Sequence, residues 1–113
     1  MTLDQLAEAI DRISPDINGR RVAATLRDWK TDGTDVTELS SRVERNIGHT
    51  WFETDAAHHA IYNLWSRFRI EAISPIGGMT MNERLYSFSL LEVFDGSGDS
   101  ERDVLYRKLL ARD

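Results

Sequence analysis

Residues 54 to 73 read TDAAHHAIYNLWSRFRIEAI, and the spacing of their apolar side chains decides the fold class. Ala57, Ala60, Ile61, Leu64, Trp65, Phe68 and Ala72 recur at helical steps of three and four, which puts them on one face of an α-helix. Thr54 stands where an N-cap is needed, and Asp55 places negative charge at the positive end of the helix dipole. Arg67 and Glu71, four apart, are expected to pair on the solvent face, an interaction worth roughly 0.2–0.5 kcal/mol. The stretch also holds His58 and His59. Neighbours on a helix diverge by about 100° and cannot grip one ion as an i, i+4 pair can, and no HExxH pattern stands here. A ligand-binding or enzymatic site near His58 and Tyr62 is therefore only a subsidiary reading, which His49 joins only through the fold.

Upstream, Thr2 and Gln5 fit a capping box, and Leu3, Leu6, Ala7, Ile10 and Ile13 line one face of a first helix that stops at Ser14-Pro15. SPDING is a turn in which Asn18 or Ser14 is expected to cap a second helix. That helix carries Val22, Leu26 and Trp29 and should stop at Gly33. Thr34 or Asp35 starts a third, with Val36, Leu39, Val43 and Ile47 on its stripe and Gly48 just past its end. Two helices around a Gly-containing turn raise a helix-turn-helix DNA reader over residues 20–47, served by Arg20, Arg21, Arg42 and Arg45. Trp29 sits where that motif needs a small residue, and Arg42 and Arg45 are mixed with Glu38 and Glu44. An αα-hairpin within a bundle is the expectation. In the connection GHTWFE, Trp51 and Phe52 are too apolar for water and should tuck against the core.

Downstream, SPIGGM is a loop, and Thr80 with Glu83 makes another capping box. Leu85, Phe88, Leu91 and the Val93-Phe94 end continue that helix. Tyr86, Phe88 and Leu90 also alternate with serines, as Phe68, Ile70 and Ala72 alternate with polar residues, so an α+β alternative has a hairpin within residues 68–94. Helix is preferred because a strand would leave Leu91 and Val93 on the polar face. In MTMNERLYSFSLLEVFD, residues 79–95, the residues Asn82, Glu83, Arg84, Leu85, Tyr86, Leu90, Leu91, Phe94 and Asp95 carry a pattern that resembles short uncharacterised bacterial proteins. Ser87 to Ser89 depart from the small residues of that pattern. The resemblance implies a bacterial origin and a helix, and no functional residues.

Val104, Leu105, Leu109 and Leu110 mark a final helix capped by Asp99 or Ser100. Asp95, Ser97, Asp99 and Asp103 fall at positions 1, 3, 5 and 9 of an EF-hand loop, but Ser100 replaces the obligatory glycine and Tyr106 the bidentate glutamate. Calcium is not expected. What stands out is charge: Glu92, Asp95, Asp99, Glu101 and Asp103 face one base, Arg102.

The 113 residues suffice for a single domain, 1–113, with one modest core, and 41% hydrophobic with 29% charged content suits a folded globule. The absence of cysteine removes disulfides, thiolate zinc sites, iron-sulfur ligation and cysteine nucleophiles. A net charge of -5 repels nucleic acids and membrane surfaces while attracting basic proteins. MTLDQLAEAIDRI lacks the basic and apolar regions of a signal peptide, so a cytoplasmic location is expected, with no membrane association. No GxSxG elbow, phosphate loop, dinucleotide glycine fingerprint or histidine–carboxylate motif is present, so neither enzyme activity, cofactor nor metal is expected. The reading is all-α: a compact bundle of about five short helices. Its expected role is that of a small acidic protein-interaction protein, in its most concrete form a bacterial immunity or inhibitor protein that neutralises a basic toxin. The acids from Glu92 to Asp103 would meet that partner.

Overall fold

In the computed structural model, which describes residues 1–49, 52 and 54–111, capping chemistry sets where the helices begin. Ahead of α1 (Leu3–Ile13), the Thr2 hydroxyl accepts from the Gln5 N–H at 3.3 Å while the Gln5 side chain accepts from the Thr2 N–H at 2.9 Å. The cap of α2 (Ile17–Trp29) is Asp16, not Asn18 or Ser14. Its Oδ1 accepts from the N–H groups of Asn18 and Gly19 at 3.0 and 3.2 Å and from the Ser14 hydroxyl at 2.8 Å. The Ser14 hydroxyl, then the backbone donors, hold the Asp16 carboxyl below its usual range. Gly19 is required by this turn, since a Cβ there would lie 1.8 Å from the Ser14 carbonyl oxygen. α2 stops before Gly33, as the N–H groups of Lys30, Thr31 and Asp32 bond to carbonyls three residues back and tighten its end. α3 (Val36–His49) is started by Asp35, which accepts from the Glu38 N–H at 3.0 Å, and it runs through Gly48.

Thr54 caps α4 (Asp55–Phe68), accepting from the Ala57 N–H at 3.0 Å. A π-helical turn, Arg69–Ile73, follows, closed by a bond from the Ser74 N–H to the Arg69 carbonyl at 2.8 Å. Pro75 then has no N–H with which to continue the helix. The wider turn carries Glu71 out of register with Arg67, and the expected pair does not form; Arg69 instead bridges to Glu44 on α3. A 3₁₀ turn at Ile76–Gly78 leads to α5 (Met81–Ser87), opened by the Thr80–Glu83 capping box, then α6 (Leu91–Asp95) and α7 (Asp99–Lys108). Among the described residues there is no strand, so the hairpin alternative within 68–94 is set aside. The all-α class holds, with seven α-helices among the described residues where about five were expected.

The extra helix comes from a break in the one expected to continue to Phe94. Ser89 takes a left-handed φ of 57°. The Leu90 N–H bonds to the Leu85 carbonyl at 2.8 Å and the Ser89 N–H to the Tyr86 carbonyl at 3.1 Å, the paired bonds of a Schellman stop. Serine is uncommon there because its Cβ is strained, but the Ser89 hydroxyl accepts from the Asp4 N–H at 3.0 Å and so satisfies a donor left open at the start of α1. α7 stops the same way at Leu110, also at φ 57°, with the Ala111 N–H on the Tyr106 carbonyl at 2.8 Å.

α1 packs on α2 and α4, and α2 on α3. Through the core runs a row of rings: Trp65 to Phe68 at 6.1 Å, Phe68 to Phe88 at 5.4 Å, and Phe88 to Trp29 at 5.5 Å. Phe88, at the break after α5, thus joins α4 to α2, and removing such a ring costs about 3–5 kcal/mol. Phe52 packs against this core as expected, while Trp51 lies outside the described residues. The molecule measures 45 × 24 × 20 Å. Among the described residues no helix is long and apolar enough to cross a membrane.

Candidate functional site

α6 is laid on the surface and held from two sides. Leu90, just before it, is fully buried, and Phe94 near its end is clamped by α7. The Arg102 guanidinium sits over the Phe94 ring at 4.5 Å and its Nε donates to the Phe94 carbonyl at 3.1 Å, while Tyr106 meets the ring edge-on at 6.0 Å. This clamp has an electrostatic consequence. The one base among the acids of this segment is turned inward, and Glu92, Asp95, Asp99, Glu101 and Asp103 are all exposed and, among the described residues, belong to no ion pair. The expected cap, Asp99 or Ser100, is displaced by Gly98, and Asp99 and Glu101 fall in the first turn of α7, where their charge complements the dipole. Asp99 and Asp103 are therefore helical rather than parts of a twelve-residue calcium loop.

A second cluster lies at the far end of α7. Lys108 is 2% exposed. Its Nζ donates to the Asp32 carbonyl at 2.8 Å, to Asp32 Oδ1 at 3.1 Å and to the Thr34 carbonyl at 2.9 Å, and it lies 4.1 Å from the centre of the Trp29 ring. Asp32 also accepts from the Thr34 N–H and hydroxyl at 2.9 and 2.6 Å and from Arg42 at 2.7 Å. Burial pushes the Asp32 carboxyl up, but the bonds from Thr34, Arg42 and Lys108 outweigh it and hold the group well below the usual carboxylate range. Burial lowers the Lys108 amine, against the opposing pull of Asp32. With each N–H of the ammonium engaged, Lys108 has nothing left for a nucleophilic role. It is a clasp joining α7 to the turn after α2. Arg84 does similar work, donating to the Met79 carbonyl at 3.1 Å and to the Leu109 carbonyl at 3.0 Å, where the end of α7 needs donors.

The sequence had a signal for both. Lys108 occupies a place on the apolar stripe with Leu105 and Leu109, whereas Val104 and Leu110, expected on that stripe, are exposed. Arg84 likewise neighbours Leu85 on the buried side of α5.

The other candidate residues are not brought together. His58 rests on Phe52 at 5.6 Å and meets His59 edge-on at 5.9 Å, His49 is exposed at the end of α3, and Tyr62 faces solvent. Among the described residues no group of three His, Cys, Asp or Glu side chains is placed to hold a metal. Of the basic residues in 20–47, Arg27 pairs with Asp11 at 2.8 Å, Lys30 with Asp4 at 3.0 Å, and Arg42 with Asp32 and Glu38 at 2.7 and 3.2 Å. Arg20, Arg21 and Arg45 stay exposed and form no ion pair among the described residues, Arg20 only adding its charge near Asp16. Compared with family models, with curated proteins and with solved structures, the chain gives no match.

Proposed function

We infer that this is a small acidic protein-interaction protein whose partner is a basic protein, met along α6 and α7 by Glu92, Asp95, Asp99, Glu101 and Asp103. One observation carries the reading: among the described residues these exposed carboxylates have no base of their own, because Arg102 is committed to Phe94. Unneutralised charge of one sign raises association rates with an oppositely charged surface and suppresses like-charged competitors. The concrete form is an immunity or inhibitor protein that acts in the bacterial cytoplasm and neutralises a basic toxin. The bacterial setting rests on the resemblance at residues 79–95. Weighing against a DNA reader, α3 has Asp35 and Glu38 at its N-terminal end, where a recognition helix meets bases and phosphates.

The test is affinity purification from bacterial extract with wild type and with the variant Asp95→Asn, Asp99→Asn, Glu101→Gln. Basic proteins should be retained by the wild type and lost by the variant, and the captured protein should associate more slowly with the variant at low salt. Equal retention by both proteins would sink the reading. Retardation of duplex DNA at physiological salt, abolished by changing Arg20, Arg21 and Arg45, would replace it with the regulator.

A further inference from the structure

The surface beside α6 is a trench. Three adjoining depressions share Lys30 and Val93 in their walls. One end opens between Tyr86 and Leu91, and the other, of about 300 Å³, runs over Val104 and Leu105. Its apolar side chains are open to solvent: Tyr86 by 61%, Val93 by 41%, and Leu91 and Val104 by 37% each. α6 differs from the other α-helices in burying none of its own residues, and Leu91 and Val93 each leave more than a third of their surface to solvent. Neighbouring apolar groups left uncovered mark an interaction surface more often than single ones do.

Charge on the rim says what kind of partner fits. The trench's lysines and arginine are already engaged, Lys30 by Asp4, Arg27 by Asp11 and Lys108 by Asp32. The rim carboxylates Glu8, Glu92 and Glu101 are exposed and, among the described residues, in no ion pair. Covering the trench with a neutral apolar segment would desolvate these groups without a counter-charge, which is costly. A second copy docked face to face would bring the same carboxylates against one another.

We propose that the trench receives an amphipathic basic segment of the partner, whose apolar side chains cover Leu91, Val93 and Val104 while its lysines or arginines meet Glu8, Glu92 and Glu101. This rests on the basic-partner reading above and adds where the apolar contact lies. The acids along α6 and α7 set the rate of encounter, and the trench sets how long the complex lasts.

The probes are labelled synthetic peptides followed by fluorescence anisotropy: a Leu/Lys peptide with leucines at i, i+3, i+4 and i+7, a shuffled peptide of the same composition, and an oligolysine of the same charge. The amphipathic peptide should bind wild type about tenfold tighter than either control, a difference of about 1.4 kcal/mol. The Val93→Ser, Val104→Ser double variant should lose that excess, keep its affinity for oligolysine, and keep the wild-type circular dichroism. Amide shifts in the NMR spectrum of the complex should centre on Leu91, Val93 and Val104. Equal binding of the amphipathic and shuffled peptides, or an excess that survives in the double variant, overturns the trench while leaving the charge reading intact. If oligolysine binds wild type no better than the Asp95→Asn, Asp99→Asn, Glu101→Gln variant, the charge reading falls, and the trench proposal falls with it. A wild-type dimer that Val93→Ser dissociates would also overturn it, assigning the face to a second copy.

Discussion

Around α1 to α3 three carboxylates, though not Glu8, are met by bases: Asp4 by Lys30, Asp11 by Arg27, and Asp32 by Arg42 and Lys108. Along α6 and α7 five carboxylates are met by none among the described residues, and the neighbouring arginine is held on the Phe94 ring. Charge in the first region fixes how helices sit on one another. In the second it is left over after folding, which is the condition for charge that a partner can use.

The largest expected effect comes from breaking the clasp. Lys108→Met removes the buried partner of a charge pair whose carboxylate is partly exposed and strands the carbonyls of Asp32 and Thr34, but Asp32 keeps Arg42 and Thr34. The loss should fall at the lower end of the usual range, about 3 kcal/mol, and appear as a fall in Tm of about 10–15 °C by calorimetry. A change of less than about 1 kcal/mol would place Lys108 with the surplus charges instead.

Acid should separate the regions next. The folded-state pKa of Asp32 is depressed, so its contribution is present above the ordinary aspartate value of 3.8 and is lost as pH falls from there toward the lowered one. Glu83, whose cap bonds to Thr80, the backbone one first, hold it down, and Asp16, held down by Ser14, add to the same limb. The lowering at Lys108 acts near 10.5, at the alkaline end, and leaves the acid limb to the carboxylates. Urea melts at neutral pH and below pH 3.8 should therefore show wild type losing more stability on acidification than Asp32→Asn. Parallel losses would mean that Asp32 is no part of the acid limb.

Ser89 sits at the seam, carried by the turn before α6 and bonded to α1. Ser89→Ala keeps the strained backbone and loses the bond to Asp4, for about 1 kcal/mol. Ser89→Gly loses the same bond but relieves the strain, and its urea midpoint should lie closer to wild type. The smallest effect on folding belongs to Asp95→Asn, Asp99→Asn, Glu101→Gln, whose urea midpoint should lie close to that of wild type, because exposed charges in no ion pair hold little together beyond the small α7 dipole contribution of Asp99 and Glu101. A large drop would erase the contrast between the regions.

Helical spacing made the core legible: Leu3, Leu6, Ile10, Val22, Leu26, Leu39, Val43, Ile61, Trp65 and Phe68 are all buried where the stripes put them. The stops were harder to read. Ser89 and Leu110 end helices at a position where glycine is the usual sign, and what stabilises the first is a hydroxyl bond to residue 4, which no local window contains. The acids from Glu92 to Asp103 were visible as a run, but their lack of partners depends on Arg102 turning onto Phe94, a tertiary fact. The clasp escaped because lysine on an apolar stripe ordinarily extends its ammonium to water, and the acceptors that keep Lys108 inside lie in a turn far back in the chain.

That separation bears on how the chain is made. Lys108 follows the residue it grips by 76 positions. At an elongation rate of roughly 5–20 residues per second, the ribosome needs about 4–15 s to reach Lys108 after adding Asp32. Until Lys108 is added, the Asp32 carboxylate has the donors of Thr34 and, once translated, Arg42, while the Trp29 face and the carbonyls of Asp32 and Thr34 lack their cation. The first three helices are thus translated as an open half, and the buried ammonium arrives as the late event that closes it.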